Sequence, residues 1–305
     1  MKNLKVKKLT VASDKYDVLL AGANNESRAT FIDDVLAIKA KEKYCIEYEC
    51  PNNKRVDKIK LYFKTKKYRS VHSLKGNVRT LLGKLLKATA TPLSRICVDI
   101  TCLSREDLGL VVEFCSKIKW STKPEIHFVY SLAQYSPPPD DVGPIMHLGP
   151  ITPFFSGWSS DPTCPSSLVL GIGYEPDLAL GLMERLEPSR TFAFRPTGHD
   201  HRYTKAIDEK NSAFLTPVPK ATVFDYNILD PLGTYTKLES LVYSELRDNR
   251  VVIAPFGLKS MALCSYLVAA RYLPQVAIWG IKPEIMQKTE DRLPSGKWVG
   301  LSVKM

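Results

Sequence analysis

Short apolar runs alternate with amphipathic stretches along the chain. Tyr16–Leu20 is an apolar run that ends near Gly22 and predicts a strand. Ser27–Lys41 is helix-like, and Tyr44–Glu49 reads as a second strand. Val78, Leu81, Leu82, Leu85 and Leu86 recur at helical spacing, which predicts a basic amphipathic helix over Asn77–Ala90. Arg95–Ile100 predicts a buried strand, Arg105–Lys117 a helix and Glu125–Tyr130 a further strand. The second half repeats the rhythm. Ser167–Leu170, Thr191–Arg195, Arg250–Ala254 and Val276–Gly280 read as strands. Asp177–Leu186, Leu232–Asp248 and Lys259–Tyr272 read as helices. Strands alternating with helices imply an α/β protein with parallel sheet covered on both faces.

Eight of the 21 prolines fall between Pro137 and Pro165. Proline fixes φ and donates no hydrogen bond, so regular helix or sheet is not expected there. Phe154, Phe155 and Trp158 nevertheless want burial, so the stretch reads as an ordered connector. The two sides can be laid over each other. VLLAGANNE at 18–26 resembles LVLGIGYE at 168–175, pairing Gly22 with Gly171 and Glu26 with Glu175. RICVDITCLSREDLGLVVEF at 95–114 resembles RVVIAPFGLKSMALCSYLVA at 250–269, setting Ser104 opposite Lys259 and Arg105 opposite Ser260. The expected architecture is two tandem Rossmann-like units with mainly parallel sheets, related by a pseudo-two-fold. Residues 1–136 form a basic N-terminal unit, 137–166 the connector and 167–305 the C-terminal unit. Ligands of such sheets sit beyond the carboxyl ends of the strands, near helix N-termini. Two such units facing each other would place four loops around one pocket.

The chain has 305 residues, 44% hydrophobic and 25% charged, which argues against disorder. No stretch approaches the ~18–20 apolar residues of a membrane helix. The N-terminus is basic but lacks the apolar core of a secretory signal. Seven scattered cysteines without a CxxC pair favour reduced thiols in a cytoplasmic protein over a disulfide framework or zinc ribbon. The net charge is +11, and its placement matters more than its size. From Lys54 to Lys87 there are 12 basic residues against one acid, Asp57. Lys54, Arg55, Lys58, Lys60, Lys64, Lys66, Lys67 and Arg69 form its densest part, interleaved with Tyr62, Phe63 and Tyr68. Such a patch suits a nucleic acid, with cations on the backbone and rings on bases, or an acidic protein face. It equally suits a solvated helix face with strand edges blunted by lysine.

The loops that follow strands and open helices carry the candidate chemistry. Gly22, Asn24, Asn25 and Glu26, with Arg28 just beyond, form one; Gly171, Gly173, Tyr174 and Glu175 form another. Glycine permits close backbone approach, and free helix N–H groups favour an anion. Neither loop is a full dinucleotide fingerprint: Pro176 stands near where a third glycine would fall. No Walker lysine follows, which argues against a P-loop ATPase. Tyr174 offers a face for a base. Gly257, Lys259 and Ser260 offer a phosphate site, and Thr101, Ser104 and Arg105 are its counterpart, although Ser104 also reads as a plain N-cap. His199-Asp200-His201 lacks a third ligand cluster and reads as a loop beside the pocket. No metal or cofactor is expected. Cys102 lies near a helix start, where a thiolate would be stabilised, but a buried thiol is the simpler reading.

A glycine loop after the first strand, and Gly257-Leu-Lys259-Ser260 before a later helix, resemble the CARF domains (CRISPR-associated Rossmann fold). Two such units in tandem are similar to the SAVED proteins. The resemblance implies a sensor of cyclic or linear oligonucleotide messengers in bacterial antiphage defence, acting through a separate effector protein. The first half departs from it at Asp99, whose charge would repel a phosphate. Two other readings stand beside it. One is a nucleic-acid-binding subunit that uses the basic patch. The other is a nucleotide-processing enzyme of ring-nuclease or glycosidase type, with Glu26 and Glu175 as acids and Lys259 or Arg105 holding charge.

Overall fold

A computed structural model of the chain describes residues 4–13, 15–50, 52–73, 76–87, 93–117, 124–138, 145–157, 161, 163–175, 177–198, 200–283 and 291–304. Six strands come first: β1 (Lys5–Lys8), β2 (Lys15–Ala23), β3 (Lys39–Glu47), β4 (Arg69–His72), β5 (Arg95–Asp99) and β6 (Glu125–Ala133). Then follow β7 (Ile145–Pro150), β8 (Ser166–Gly171), β9 (Arg190–Thr197), β10 (Val223–Asn227), β11 (Arg250–Pro255) and β12 (Val276–Pro283), and β13 (Pro294–Lys304) ends the series. The helices are α1 (Phe31–Leu36), α2 (Lys54–Thr65), α3 (Asn77–Lys87), α4 (Arg105–Lys117), α5 (Leu178–Leu186), α6 (His201–Lys210), α7 (Ser212–Leu215), α8 (Pro231–Glu245) and α9 (Lys259–Tyr272).

These elements build two sheets of one plan. The first has the order β1-β13-β6-β5-β2-β3-β4, the second β10-β9-β8-β11-β12-β7. In each, five strands run parallel and an antiparallel strand closes the fifth: β13 on β6, and β7 on β12. The chain leaves the first strand toward one edge, then returns past it toward the other. That reversal lies between β2 and β5 in the first sheet and between β8 and β11 in the second. The fold is therefore the expected pair of Rossmann-like units.

The antiparallel strands that close the two parallel runs are exchanged. β7 follows β6 in the chain but pairs with β12, and β13 follows β12 but pairs with β6. The compact units are accordingly Met1–Gln134 with Lys288–Met305, and Tyr135–Gln287. These are not the boundaries expected from composition, because the last strand belongs to the first sheet. The 137–166 stretch likewise holds a strand where none was expected. β7 is an edge strand, and Pro150 ends it, where a missing N–H costs little. Phe155 is buried as expected, while Trp158 lies outside the described residues.

Burial explains the central strands. Leu168, Val169 and Leu170 of β8 are all fully buried, as a parallel strand covered on both faces requires. Every residue from Ser260 to Ala270 of α9 is buried too, so this helix is apolar all round. The expected helix over Ser27–Lys41 is shorter. A 3-10 turn at Ser27–Thr30 leads into α1, Ala37 then takes a left-handed conformation, and β3 starts at Lys39. The helix expected over Asn77–Ala90 is described to Lys87, and residues 88–90 lie outside. The loop expected at 197–202 opens α6 instead: Asp200 is its N-cap, accepting from the Arg202 N–H, and His201 is its first residue. His199 lies outside the described residues.

Candidate functional site

The two reversal points carry most of the candidate loops, and they differ. At the first, Gly22 sits under the loop after β5. A Cβ there would come within 2.8 Å of the Cys102 carbonyl carbon and oxygen. The glycine is used to admit that backbone. Arg28 is 1% exposed. Its Nε donates to Glu26 Oε2 at 2.5 Å, and its Nη1 to the Ser131 carbonyl at 2.7 Å and the Tyr130 hydroxyl at 3.2 Å. Burial works against the Arg28 charge, but Tyr130 and the Glu26 carboxylate outweigh it and raise its pKa. Asn24 Oδ1 accepts from the Glu26 N–H, and the Asn25 carbonyl accepts from Arg55. Thr101 is fully buried; its N–H donates to Asp99 and its Oγ1 accepts from the Ser131 N–H.

Ser104 caps α4. Its Oγ accepts from the Asp107 N–H and donates to Asp107 Oδ2, a reciprocal cap at the spacing of a capping box. Tyr48 braces the pair: its hydroxyl accepts from the Ser104 N–H at 2.7 Å and donates to Asp107 at 2.6 Å. Burial and the adjacent Asp107 push the Tyr48 pKa well up, so it stays a phenol. Cys102 is buried. At Gly22, Arg28, Ser104 and Glu26 the structure shows internal packing and hydrogen bonding.

The second reversal point is built differently. Gly173 and Gly257 meet backbone to backbone: a Cβ on Gly173 would lie 2.9 Å from the Gly257 Cα, and one on Gly257 would lie 2.5 Å from the Ile172 carbonyl oxygen. The Gly257 N–H donates to the Gly171 carbonyl. Asn211, buried, donates to the Gly173 carbonyl at 2.8 Å and fixes the loop from α6 and α7. This crossing leads into α9, whose N-cap residue is Leu258, with no side-chain cap and no acid in the first turn. Lys259 and Ser260 are its first two residues. Glu175 folds back over Gly173, where a Cβ would meet its Oε2 at 2.5 Å. That oxygen is buried and has no hydrogen-bond partner among the described residues.

Beside this loop lies an aromatic group that sequence reasoning met only at Tyr174. The Tyr174 ring stacks on Tyr203 with centroids 6.0 Å apart and planes 10° apart. Tyr203 meets Tyr135 edge-on at 5.1 Å, and the Arg202 guanidinium lies 4.4 Å from the Tyr135 ring centre. All three rings are partly exposed. The sequence signal was available as Tyr203 one turn into a helix opened by Asp200, but the segment read as a loop.

The basic residues of the 54–69 stretch are largely exposed, on α2 and the turn after it. Two of the three rings expected to meet bases there are buried, and Tyr62 is half-buried. Phe63 and Tyr68 are core residues. The Tyr62 hydroxyl donates to Asp34 at 2.6 Å and Asp33 at 2.9 Å. No group of metal-binding side chains forms among the described residues. No described helix is long and apolar enough to cross a membrane.

No family model matches this chain, and no curated protein matches it. Among solved structures it is similar to one described as a Type III CRISPR defence DNA nuclease activated by cyclic oligoadenylate. The two share 11% identity at a TM-score of 0.49, over 84% of this chain. This chain spans 64% of that nuclease's length.

Proposed function

We propose that this protein is a nucleotide-binding sensor module whose ligand site lies at the carboxyl end of the second sheet. The observation that carries the reading is the buried Glu175 oxygen, without a donor among the described residues, beside the Gly173–Gly257 crossing. A buried acceptor left unmade costs roughly 1–3 kcal/mol, and a ligand hydroxyl or amino group would recover that. The neighbouring features divide a nucleotide among themselves. The N-terminus of α9, which has no side-chain cap and carries Lys259 and Ser260, suits a phosphate. Tyr174 and its stacked partners suit a base. Glu175 repels phosphate, so it faces the sugar or the base edge. Glu26 is held by Arg28 in a buried ion pair, so it is given no catalytic part in this reading.

In this reading the protein acts in antiphage defence through a separate effector chain, as the CARF and SAVED resemblance implies. The test is thermal unfolding against cyclic and linear oligoadenylates, ATP, NAD and inorganic phosphate. A ligand at 100 times its Kd stabilises by about 2.7 kcal/mol, a shift of several degrees. Lys259→Ala and Glu175→Gln are each expected to reduce the shift. A shift that survives both substitutions, or none with any nucleotide, refutes the assignment.

A further inference from the structure

The basic surface of α2 is independent of that site. The helix forms for plain reasons. Val56, Ile59 and Phe63 are buried at helical spacing, and Asn53 caps the start by accepting from the Arg55 and Val56 N–H groups. The opposite face carries Lys54, Lys58 and Lys64, and the turn beyond adds Lys66, Lys67 and Arg69, all exposed. Among the described residues three cations of the stretch are in ion pairs, Arg55 with Asp291, Lys60 with Glu47 and Arg69 with Glu42, and Lys66 lies over the Tyr62 ring. Lys54, Lys58, Lys64 and Lys67 have no ion-pair partner among the described residues.

Lys67 has a second oddity. The helix ends in a Schellman motif, with the Tyr68 N–H donating to the Phe63 carbonyl and the Lys67 N–H to the Lys64 carbonyl. The residue between them adopts φ 63°, the left-handed conformation that glycine fills without strain. A lysine stands there instead. Its backbone is strained, and its side chain is exposed with no neutralising partner.

We infer that this face binds the phosphate backbone of a nucleic acid without reading sequence. Backbone binding needs only spaced cations, and α2 with its turn supplies them over roughly 18 Å of helix. Base stacking has little to draw on, because Phe63 and Tyr68 are core residues and the half-buried Tyr62 packs against that core with its hydroxyl tied to Asp33 and Asp34. An acidic protein fits less well. A specific protein interface needs a desolvated apolar centre, and this face exposes one large apolar side chain, Leu61, at 60%.

The experiment is fluorescence anisotropy with a random-sequence duplex, a single strand of the same length and poly-glutamate, from 50 to 200 mM salt. The wild-type protein is expected to bind the duplex at least as tightly as the single strand, with log K falling linearly against log salt. Lys58→Glu with Lys64→Glu is expected to weaken binding more than tenfold at 50 mM salt and flatten the slope by about two contacts at ~0.9 each. Lys67→Gly is the more diagnostic change. It removes one cation and the strain, so affinity falls, the slope drops by about one, and the melting temperature rises by about 2–4 °C. Three results overturn the inference: no binding at 50 mM salt, binding unchanged by the double reversal, or poly-glutamate bound as tightly as duplex.

Discussion

Replacing Arg28 by methionine tests whether Glu26 is structural. Arg28 is 1% exposed. Its guanidinium meets Glu26 at 2.5 Å and the Ser131 carbonyl at 2.7 Å, and lies 5.3 Å from the centre of the Tyr130 ring. Methionine fills similar volume, so cavity terms are small. What is lost is the positive charge paired with the Glu26 carboxylate, itself buried. Breaking one side of a buried pair costs about 3–5 kcal/mol. That is a large part of a domain's ~5–15 kcal/mol. Glu26→Gln alone leaves the guanidinium buried without its anion and is also costly. The double substitution removes both charges, so its cost falls below the sum by about 0.5–3 kcal/mol. Urea unfolding followed by circular dichroism reads all four proteins. A cost under ~1 kcal/mol for Arg28→Met, or strict additivity in the double variant, would refute the structural reading and return Glu26 to the list of reactive acids.

Two further outcomes follow from the first unit. An apolar cavity of about 30 Å3 lies among Val18, Leu82, Leu85, Val111, Phe114 and others. Val111→Ile adds one methylene, and at ~24 cal/mol per Å3 filling the cavity gains about 0.7 kcal/mol; a loss of stability would show that the space cannot accept it. His127 is buried between Tyr16, whose hydroxyl is 2.6 Å from Nδ1, and Glu125, 3.4 Å from Nε2. Burial lowers the His127 pKa more than Glu125 raises it. The folded state thus resists the proton that the unfolded chain takes up near 6.5. Stability is full above that pH and falls as pH drops below it. Melting temperature measured from pH 5 to 8 is expected to show that slope, reduced in His127→Gln, and an unchanged slope in the variant would exclude the histidine.

The central strands were legible because they are buried on both faces. Ile96–Val98 and Leu168–Leu170 read as short apolar runs, and burial on both faces made them legible without their neighbours. The edges were not legible. β4 is four residues long with three of them exposed, and β7 ends in proline among other prolines. β13 did carry a signal, since Val299, Leu301 and Val303 alternate with Gly300 and Ser302. Its partner β6 lies about 170 residues earlier (Leu301 pairs with Phe128), so nothing local announced the pairing. Tyr62, Phe63 and Tyr68 were misjudged for a related reason. Their lysine neighbours suggested a surface, but Phe63 shares a face with Val56 and Ile59, and that face is the core.

The duplicated plan was visible in the sequence, yet one residue of register decided what it meant. Aligning the later strands set Ser104 opposite Lys259. The helices begin at Arg105 and Lys259, so Ser104 corresponds to Leu258. At the same position of the same plan, one unit places a hydroxyl that closes its helix end, and the other places an aliphatic side chain that cannot. Serine at an N-cap is worth roughly 1 kcal/mol over leucine, so the second unit gives up stability at this position. It also builds Lys259 and Ser260 into the first turn, and packs Gly173 on Gly257 so that both loops lie close there. The first unit fills the corresponding space with Arg28, Glu26 and the Tyr48–Asp107 brace. One frame thus starts a helix under a serine cap and the other starts its helix without a side-chain cap, so the two halves, alike in strand order, are not alike in chemistry.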